Sequence, residues 1–330
     1  MAILFVSGVN DRSEMGVSLD EQGTWVHLLD GNCSVLHRLP LKQGVGVEFV
    51  LFGKGVPQRK LQFTTLPTLI FNQIADPDTH RGALQRCMEM CDEVGVPVIN
   101  HPRRVLETSR EQVSAKLQGI DGVVMPRTLR FQPRAPEAVL EFAAANDMPF
   151  PYLVRVAGEH HGRGMVRLDG TGDLAALHAL PLDGRDFYLV QYVDFRGEDG
   201  FYHKQRIVVV DGEPLLRHSM YNEVWNVHAE SRAFMNARED WQADIARFDR
   251  LSREVLPQFR PAIREMAGRL DLQYFGIDCN LQPDGRMLVF EANANMNVLH
   301  APNPEIRYRV EAIQQALHAL LAKYSGERVI

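Results

Sequence analysis

The sequence predicts a mixed α/β and α+β protein, with an α/β N-terminal domain followed by α+β parts. Two observations carry this. At 330 residues and roughly 150 residues per domain, the chain holds about two domains or three small ones. Residues 65–100 read as strand, crossover helix and strand, while residues beyond about 150 are dominated by hairpins with helices between them. Hydrophobic residues make up 45% and charged residues 24%, which suits a globular protein and is too apolar for disorder. The formal net charge of −6 argues against a general nucleic-acid binder, whose affinity rests on Lys and Arg neutralising phosphates. No run approaches the ~18 apolar residues needed to span a bilayer. The opening MAILFVSG has no basic flank and reads as a strand rather than a signal peptide. Cys33, Cys87, Cys91 and Cys279 are too few and scattered for a disulfide framework, so a reducing cytoplasm is expected.

Each element follows from local pattern. ILFVSG at 3–8 and VGVEFVLF at 45–52 are β-branched apolar runs. A strand near Leu69–Gln73 leads through Ala75-Asp76-Pro77-Asp78 into a helix from Thr79 to Glu93, with Leu84, Met88 and Cys91 at helical spacing. Gly95 supplies a left-handed stop, and 96–100 is the next strand. Thr108 and Glu111 have capping-box spacing for a helix to Gln118. A strand at 122–128 and a helix at 135–146 follow, then strand, glycine loop and strand over 151–168. DFYLVQYV at 186–193 reads as a buried strand, and 201–219 as a hairpin about Asp211-Gly212. Residues 236–270 are helical with breaks at Pro257 and Pro261. A last hairpin at 274–293 and an amphipathic helix at 305–323 end the chain.

The last hairpin is the most informative stretch. With Asp284-Gly285 as a two-residue turn, Asp278 lies opposite Glu291 and Gly276 opposite Asn293. On the other face Phe275, Ile277, Cys279 and Leu281 meet Ala292, Phe290 and Leu288, which makes that face the core side. The polar face then opposes two carboxylates at about 5 Å between Cβ atoms, which repel unless screened. Asn293 points the same way. A bound Mg²⁺ would relieve the repulsion, since hard cations take carboxylate and amide oxygens. Charges merely hydrated on a solvent-facing hairpin are the other reading, and a three-residue turn would shift the register by one.

Gly158-Glu159-His160-His161-Gly162-Arg163-Gly164 joins two strands. Such a loop can fold its N–H groups over phosphates or simply turn the chain. It is no Walker A motif, and the chain has no complete GxGxxG fingerprint. Arg155 stands in the apolar run Leu153-Val154-Arg155-Val156 and needs an anionic partner. Lys204 and Arg206 share one face of their strand, facing either a salt bridge or a ligand. Cys87 and Cys91 read as buried core thiols. His160 and His161 are open between surface and substrate roles. His218, His228 and His300 show no triad pattern, and Trp225 with His228 reads as a packed segment near a site.

In this order the pieces resemble the ATP-grasp superfamily, within it the group that includes glutathione synthetase and the ribosomal-protein glutamate ligases. The resemblance covers nearly the whole chain. Asp278, followed thirteen residues later by Glu291-Ala-Asn293, resembles the magnesium signature. It implies that Asp278, Glu291 and Asn293 hold two Mg²⁺ ions, with Mn²⁺ as a substitute. The loop resembles the glycine flap over the nucleotide phosphates, which implicates Gly158, Gly162, Arg163 and Gly164. YLVQYV resembles the hinge strand that receives adenine at the backbone of Gln191 and Val193, with Asp194 toward the ribose. Arg206 matches the strand arginine near the γ-phosphate, with Lys204 beside it as a second catalytic cation. Arg155 and Arg110 stand where the superfamily usually has lysine, and arginine there can still contact phosphate, bidentately. By analogy Asn72 and the 75–78 loop face the cleft.

The resemblance implies an N-terminal preATP-grasp domain (1–107), a small lid (108–190) and a C-terminal ATP-grasp part with the metal site (191–330). It also implies an ATP-dependent, ADP-forming ligase working through an acyl-phosphate. The partners would be a small-molecule or peptide carboxylate and an amine or thiol nucleophile, with no nucleic acid or membrane, in a homo-oligomer as in related enzymes. A small-molecule kinase and a non-catalytic nucleotide-binding protein are the alternatives.

Overall fold

β1 (Ala2–Gly8) is buried along its whole length, as the central strand of a sheet covered on both faces must be. After the hairpin of β2 (Gly16–Leu19) and β3 (Trp25–Leu28) and the single turn α1 (Val35–Arg38), the chain returns as β4 (Gly46–Phe52), parallel to β1. β5 (Leu69–Asn72) and β6 (Val98–Ile99) complete a parallel sheet of order β4-β1-β5-β6. The computed structural model describes residues 2–19, 25–41, 43–53, 62–159, 164–300 and 303–326. Between β5 and β6 runs α2 (Arg81–Val94), which buries Ala83, Leu84, Cys87, Met90 and Cys91 at three-and-four spacing. It starts two residues later than its sequence suggests because a distant side chain caps it. The Asp11 carboxylate accepts from the Arg81 and Gly82 N–H groups at 3.0 and 2.9 Å. Gly95 ends it at φ 69°.

The short helix α3 (Pro102–Val105) and α4 (Arg110–Leu117) follow. The Thr108–Glu111 capping box does not form. The Thr108 hydroxyl donates back to the Val105 carbonyl, Ser109 takes the cap position, and Glu111 accepts from Arg130. The strand expected over 122–128 is two pieces: β7 (Val123–Val124) and β8 (Thr128–Phe131). Only β8 belongs to the sheet of the expected lid, of order β10-β9-β11-β8 with β9 (Tyr152–Val156), β10 (Met165–Leu168) and β11 (Phe187–Gln191). Val154, Val156, Phe187 and Leu189 pack under α5 (Pro136–Ala145) through Val139 and Ala143.

β12 (Tyr202–Val210) and β13 (Glu213–Asn222) form the hairpin about Asp211-Gly212, both residues at positive φ. Next come α6 (Ser231–Asn236) and α7 (Trp241–Arg250). The helical path then switches to a π turn and a 3₁₀ turn around Pro257 before α8 (Arg260–Leu270), whose first turn contains Pro261. β14 (Tyr274–Leu281), β15 (Met287–Ala294) and α9 (Arg307–Ser325) finish the chain. The C-terminal sheet has the order β13-β12-β14-β15-β7, so the segment preceding the lid already pairs with this sheet. Ile207, Val209, Leu216, Phe275, Ile277 and Cys279 face α7 and α8. On the opposite face Val208, Val210 and Tyr274 pack beneath α9 and against Phe71 of the N-terminal sheet.

A buried amide set joins N- and C-terminal sheets. The Asn72 amide donates to the Asn100 carbonyl, that of Asn100 to Tyr274 and Asn295, and that of Asn295 to the Ile74 carbonyl. Asn72 is fully buried in this joint and does not face the cleft, contrary to the analogy. Among the described residues no helix is long and apolar enough to cross a membrane.

Candidate active site

Two rows of polar side chains are built by strand alternation. On the C-terminal sheet His218, Arg206, Asp278 and Glu291 are direct cross-strand neighbours on four adjacent strands, and direct neighbours share a face. On the lid sheet Arg130, Tyr188 and Arg155 form a second row, on the face opposite the lid's apolar core. Arg110, at the first turn of α4, hydrogen-bonds Glu291 at the end of the first row.

The Asp278–Glu291 and Gly276–Asn293 pairs stand as read from the sequence, although the hairpin reaches them differently. Its turn has three residues, Pro283-Asp284-Gly285, with the Gly285 N–H on the Gln282 carbonyl at 3.1 Å and Gly285 at φ 82°. That turn would slip the register by one, and a bulge between Asp278 and Cys279 restores it. Consequently Val289 takes the core position assigned to Phe290. Phe290 instead packs against Phe195 in a tilted arrangement, with ring centroids 4.7 Å apart.

The carboxylates are screened by cations of this chain. Arg206 donates to both Asp278 oxygens at 2.7 and 2.8 Å, and Lys204 lies 3.2 Å away. Burial alone would raise the Asp278 pKa, but Arg206 and Lys204 outweigh it and hold the carboxyl well below its usual range. Burial likewise opposes ionisation of Glu291, and Arg110 reverses this to leave the pKa at about 2. Glu291 Oε1 and the Asn293 amide make no hydrogen bond among the described residues. Arg155 is 8% exposed. Its hydrogen bond among the described residues goes to the Glu159 carbonyl at 2.5 Å, and its Nε is buried without a partner. Burial, then the neighbouring Arg110, lower its pKa to about 9. No described carboxylate pairs with it.

Gly158, at φ 75°, abuts the N-terminal domain, since a Cβ there would meet Thr79 Cγ2 at 2.5 Å. The Gly164 carbonyl accepts from the Val156 N–H at 3.0 Å. Gly162, Arg163, His160 and His161 lie outside the described residues. At the end of β11, the Gln191 N–H donates to the Arg127 carbonyl at 2.9 Å. Asp194 is exposed and accepts from Tyr192 at 3.3 Å. Trp225 packs edge-on to Tyr192.

Sequence reasoning missed the charge network that ties the lid to the N-terminal domain. Arg130 bonds Glu111, Asp186, Asp78 and Tyr188, and the Tyr188 hydroxyl also donates to Asp78 at 2.7 Å. The alternation Thr128-Leu129-Arg130-Phe131 was the available signal.

No protein-family model matches the sequence, and no curated protein matches it. Solved structures do. The D-alanine–D-alanine ligase from Bacillus anthracis aligns over 98% of this chain and 97% of its own, at TM-score 0.53 and 12% identity. Its ATP complex gives 98%, 96%, 0.51 and 13%. A RimK domain ATP-grasp protein from Sphaerobacter thermophilus aligns over 96% and 100%, at 0.50 and 13%. Against a carboxyaminoimidazole ribonucleotide synthase from Aspergillus clavatus the chain spans 60% of that protein's length, at 0.47 and 13% identity. An N-terminal parallel sheet, an antiparallel lid and a C-terminal sheet whose charged row faces that lid thus make up a chain with the ATP-grasp fold.

Proposed function

We propose that the protein is an ATP-dependent, ADP-forming carboxylate–amine or carboxylate–thiol ligase. The observation that carries this is Arg155, a buried lid guanidinium with no ion-pair partner among the described residues, facing a row in which Arg206 is anchored beside two carboxylates. An unpaired buried cation is costly, and a triphosphate supplies the missing charge. The full-length fold match to an ATP-bound ligase supports the same reading.

In this scheme Arg155, Arg110 and the backbone from Gly158 to Gly164 hold the phosphates. Gln191 and Val193 hold the base, and Asp194 the ribose. Glu291, Asn293 and Asp278 offer hard oxygen ligands that fit Mg²⁺, which commonly binds through one or two carboxylates and phosphate. When bound, it neutralises charge on the transferring phosphoryl group. The Asp278 oxygens are shared with Arg206 and Lys204, so Glu291 Oε1 and the Asn293 amide are the more available donors.

Arg206 uses Nε and Nη2 on Asp278, leaving Nη1 to orient the substrate carboxylate. A carboxylate oxygen attacks the γ-phosphorus, the bond to the β-phosphate oxygen breaks, and ADP leaves. The nucleophile then attacks the acyl carbon, the acyl–oxygen bond breaks, and phosphate departs. Such chemistry asks mainly for positioning and charge stabilisation. Four buried free thiols suit a reducing cytoplasm. Neutral hydroxylamine with MgATP and candidate acids tests the reading. Hydroxamate formed together with ADP supports an acyl-phosphate, ADP without hydroxamate marks a kinase, and no ADP with any acid marks a non-catalytic protein.

A further inference from the structure

A second buried guanidinium without a carboxylate lies at the other end of the charged row. A bulge opposite Arg206 and Ile207 inserts Arg217 as an extra residue in β13, and bulges re-aim side chains. Arg217 is 8% exposed. Its Nε and Nη2 donate to the Val298 and His300 carbonyls at 2.8 and 2.7 Å, contacts that supply no compensating charge and leave Nη1 without a hydrogen bond among the described residues. Burial, then Arg309, Arg206 and Arg232, lower its pKa to about 10. His218, directly across from Arg206, has a buried Nε2 with no hydrogen-bond partner among the described residues. Burial and Arg206 hold it neutral.

The acids nearby are already engaged. Asp278 serves Arg206 and Lys204. Asp244 takes Arg309 at 3.0 Å, Arg247 at 2.8 Å and Arg232 at 3.3 Å, while Glu239 takes Arg247. Five cations therefore share three carboxylates, and Arg217 is a sixth with none among the described residues. Of these heads, Arg206 and Arg232 keep 26% and 29% of their side chains exposed, so an anion from solution can reach them. A surplus of partly buried positive charge is unfavourable until an anion completes it.

We propose that the acid activated at Arg206 is a dianion, whose second carboxylate or phosphate is bound by Arg217 and Arg232 with a hydrogen bond from His218. This rests on the ligase reading of the same site. It places the nucleotide at the Arg155 end and the far end of the acid at β13 and α6.

Calorimetric titration of the protein saturated with Mg²⁺ and the non-hydrolysable analogue AMP-PNP tests it. The ligands are linear dicarboxylates from malonate to adipate and phosphoglycolate, each set against a monocarboxylate of equal length. At least one dianion should bind tenfold or more tightly than its counterpart. Arg232→Met, which leaves Asp244 with Arg309 and Arg247, should erase that preference while monocarboxylate affinity stays within about twofold. Arg217→Met, its fold checked by circular dichroism, should erase it as well. No dianion preference anywhere in the panel, or a preference unchanged in Arg232→Met, overturns the proposal. Binding of the nucleotide analogue, measured first in the same cell, reports separately on the ATP reading.

Discussion

Arg155 lies between Val154 and Val156 with its guanidinium on the cleft face, and no described carboxylate forms an ion pair with it. Replacing an uncompensated buried charge by an apolar side chain is neutral or stabilising, whereas stranding a partner carboxylate would cost about 3–5 kcal/mol. Arg155→Met should therefore hold or raise the melting temperature of the free protein and raise the KM for MgATP at least tenfold. A large melting drop with unchanged KM would make the residue structural. Glu291 behaves differently. The hairpin pattern suggests that Glu291→Gln removes metal binding with the fold intact, but its ion pair with Arg110 is closed and only 17% and 18% exposed. Glu291→Gln should abolish ADP formation and also cost about 3 kcal/mol, because it leaves Arg110 beside Arg155 without a counter-ion. The Glu291 pKa is depressed from 4.5 to about 2, so the folded state binds fewer protons than the unfolded state across that window. Its contribution is complete above pH 4.5 and is lost as the pH falls toward 2. The gap in urea midpoint between wild type and Glu291→Gln should close over that interval; a constant gap would contradict the pairing. The two carboxylates were legible from alternation along one hairpin. Arg110 was legible as a cation, but its partner lies 181 positions away, beyond any local pattern.

At the level of elements, two irregularities set the site. The three-residue turn and the bulge beside Asp278 cancel, so the sequence reading reached the right pair through the wrong turn. It misplaced Phe290 because a bulge leaves no signature in a run of alternating residues. The glycine loop was legible from composition, but the seat of Gly158 against Thr79 depends on how lid and N-terminal sheet meet. Gly158 has φ 75°, and an added Cβ would fall 2.5 Å from Thr79 Cγ2. Gly158→Ala should thus cost about 1 kcal/mol from the left-handed backbone alone, and more from the clash. It should raise the KM for MgATP severalfold by keeping the flap off the phosphates. An unchanged KM would remove the flap from the phosphate site. In the parent protein, hydrogen exchange at 158, 159 and 164 should slow on adding MgATP.

Over the whole molecule, three sheets were legible because each carries its own period: parallel buried runs first, then alternating hairpins. Their mutual placement was not. It rests on buried amides such as Asn100 and Asn295 and on the Asp78–Tyr188–Arg130 contact between N-terminal loop and lid, groups that read as ordinary loop or strand residues. Asp78→Ala removes the lid's polar contact with the N-terminal loop, while Arg130 keeps Glu111 and Asp186. The lid should then open more readily, seen as faster proteolysis between residues 125 and 190 without nucleotide and protection restored by MgATP. Equal cleavage in variant and parent would show that the contact does not hold the lid. The central claim is that a carboxylate oxygen becomes bonded to the γ-phosphorus. Using the acid that supports ADP release, labelled with ¹⁸O in its carboxylate, and a competent amine or thiol, the released phosphate should carry one ¹⁸O per turnover. Phosphate free of label, or label retained wholly in a phosphorylated acid with no phosphate released, would contradict the ligase mechanism.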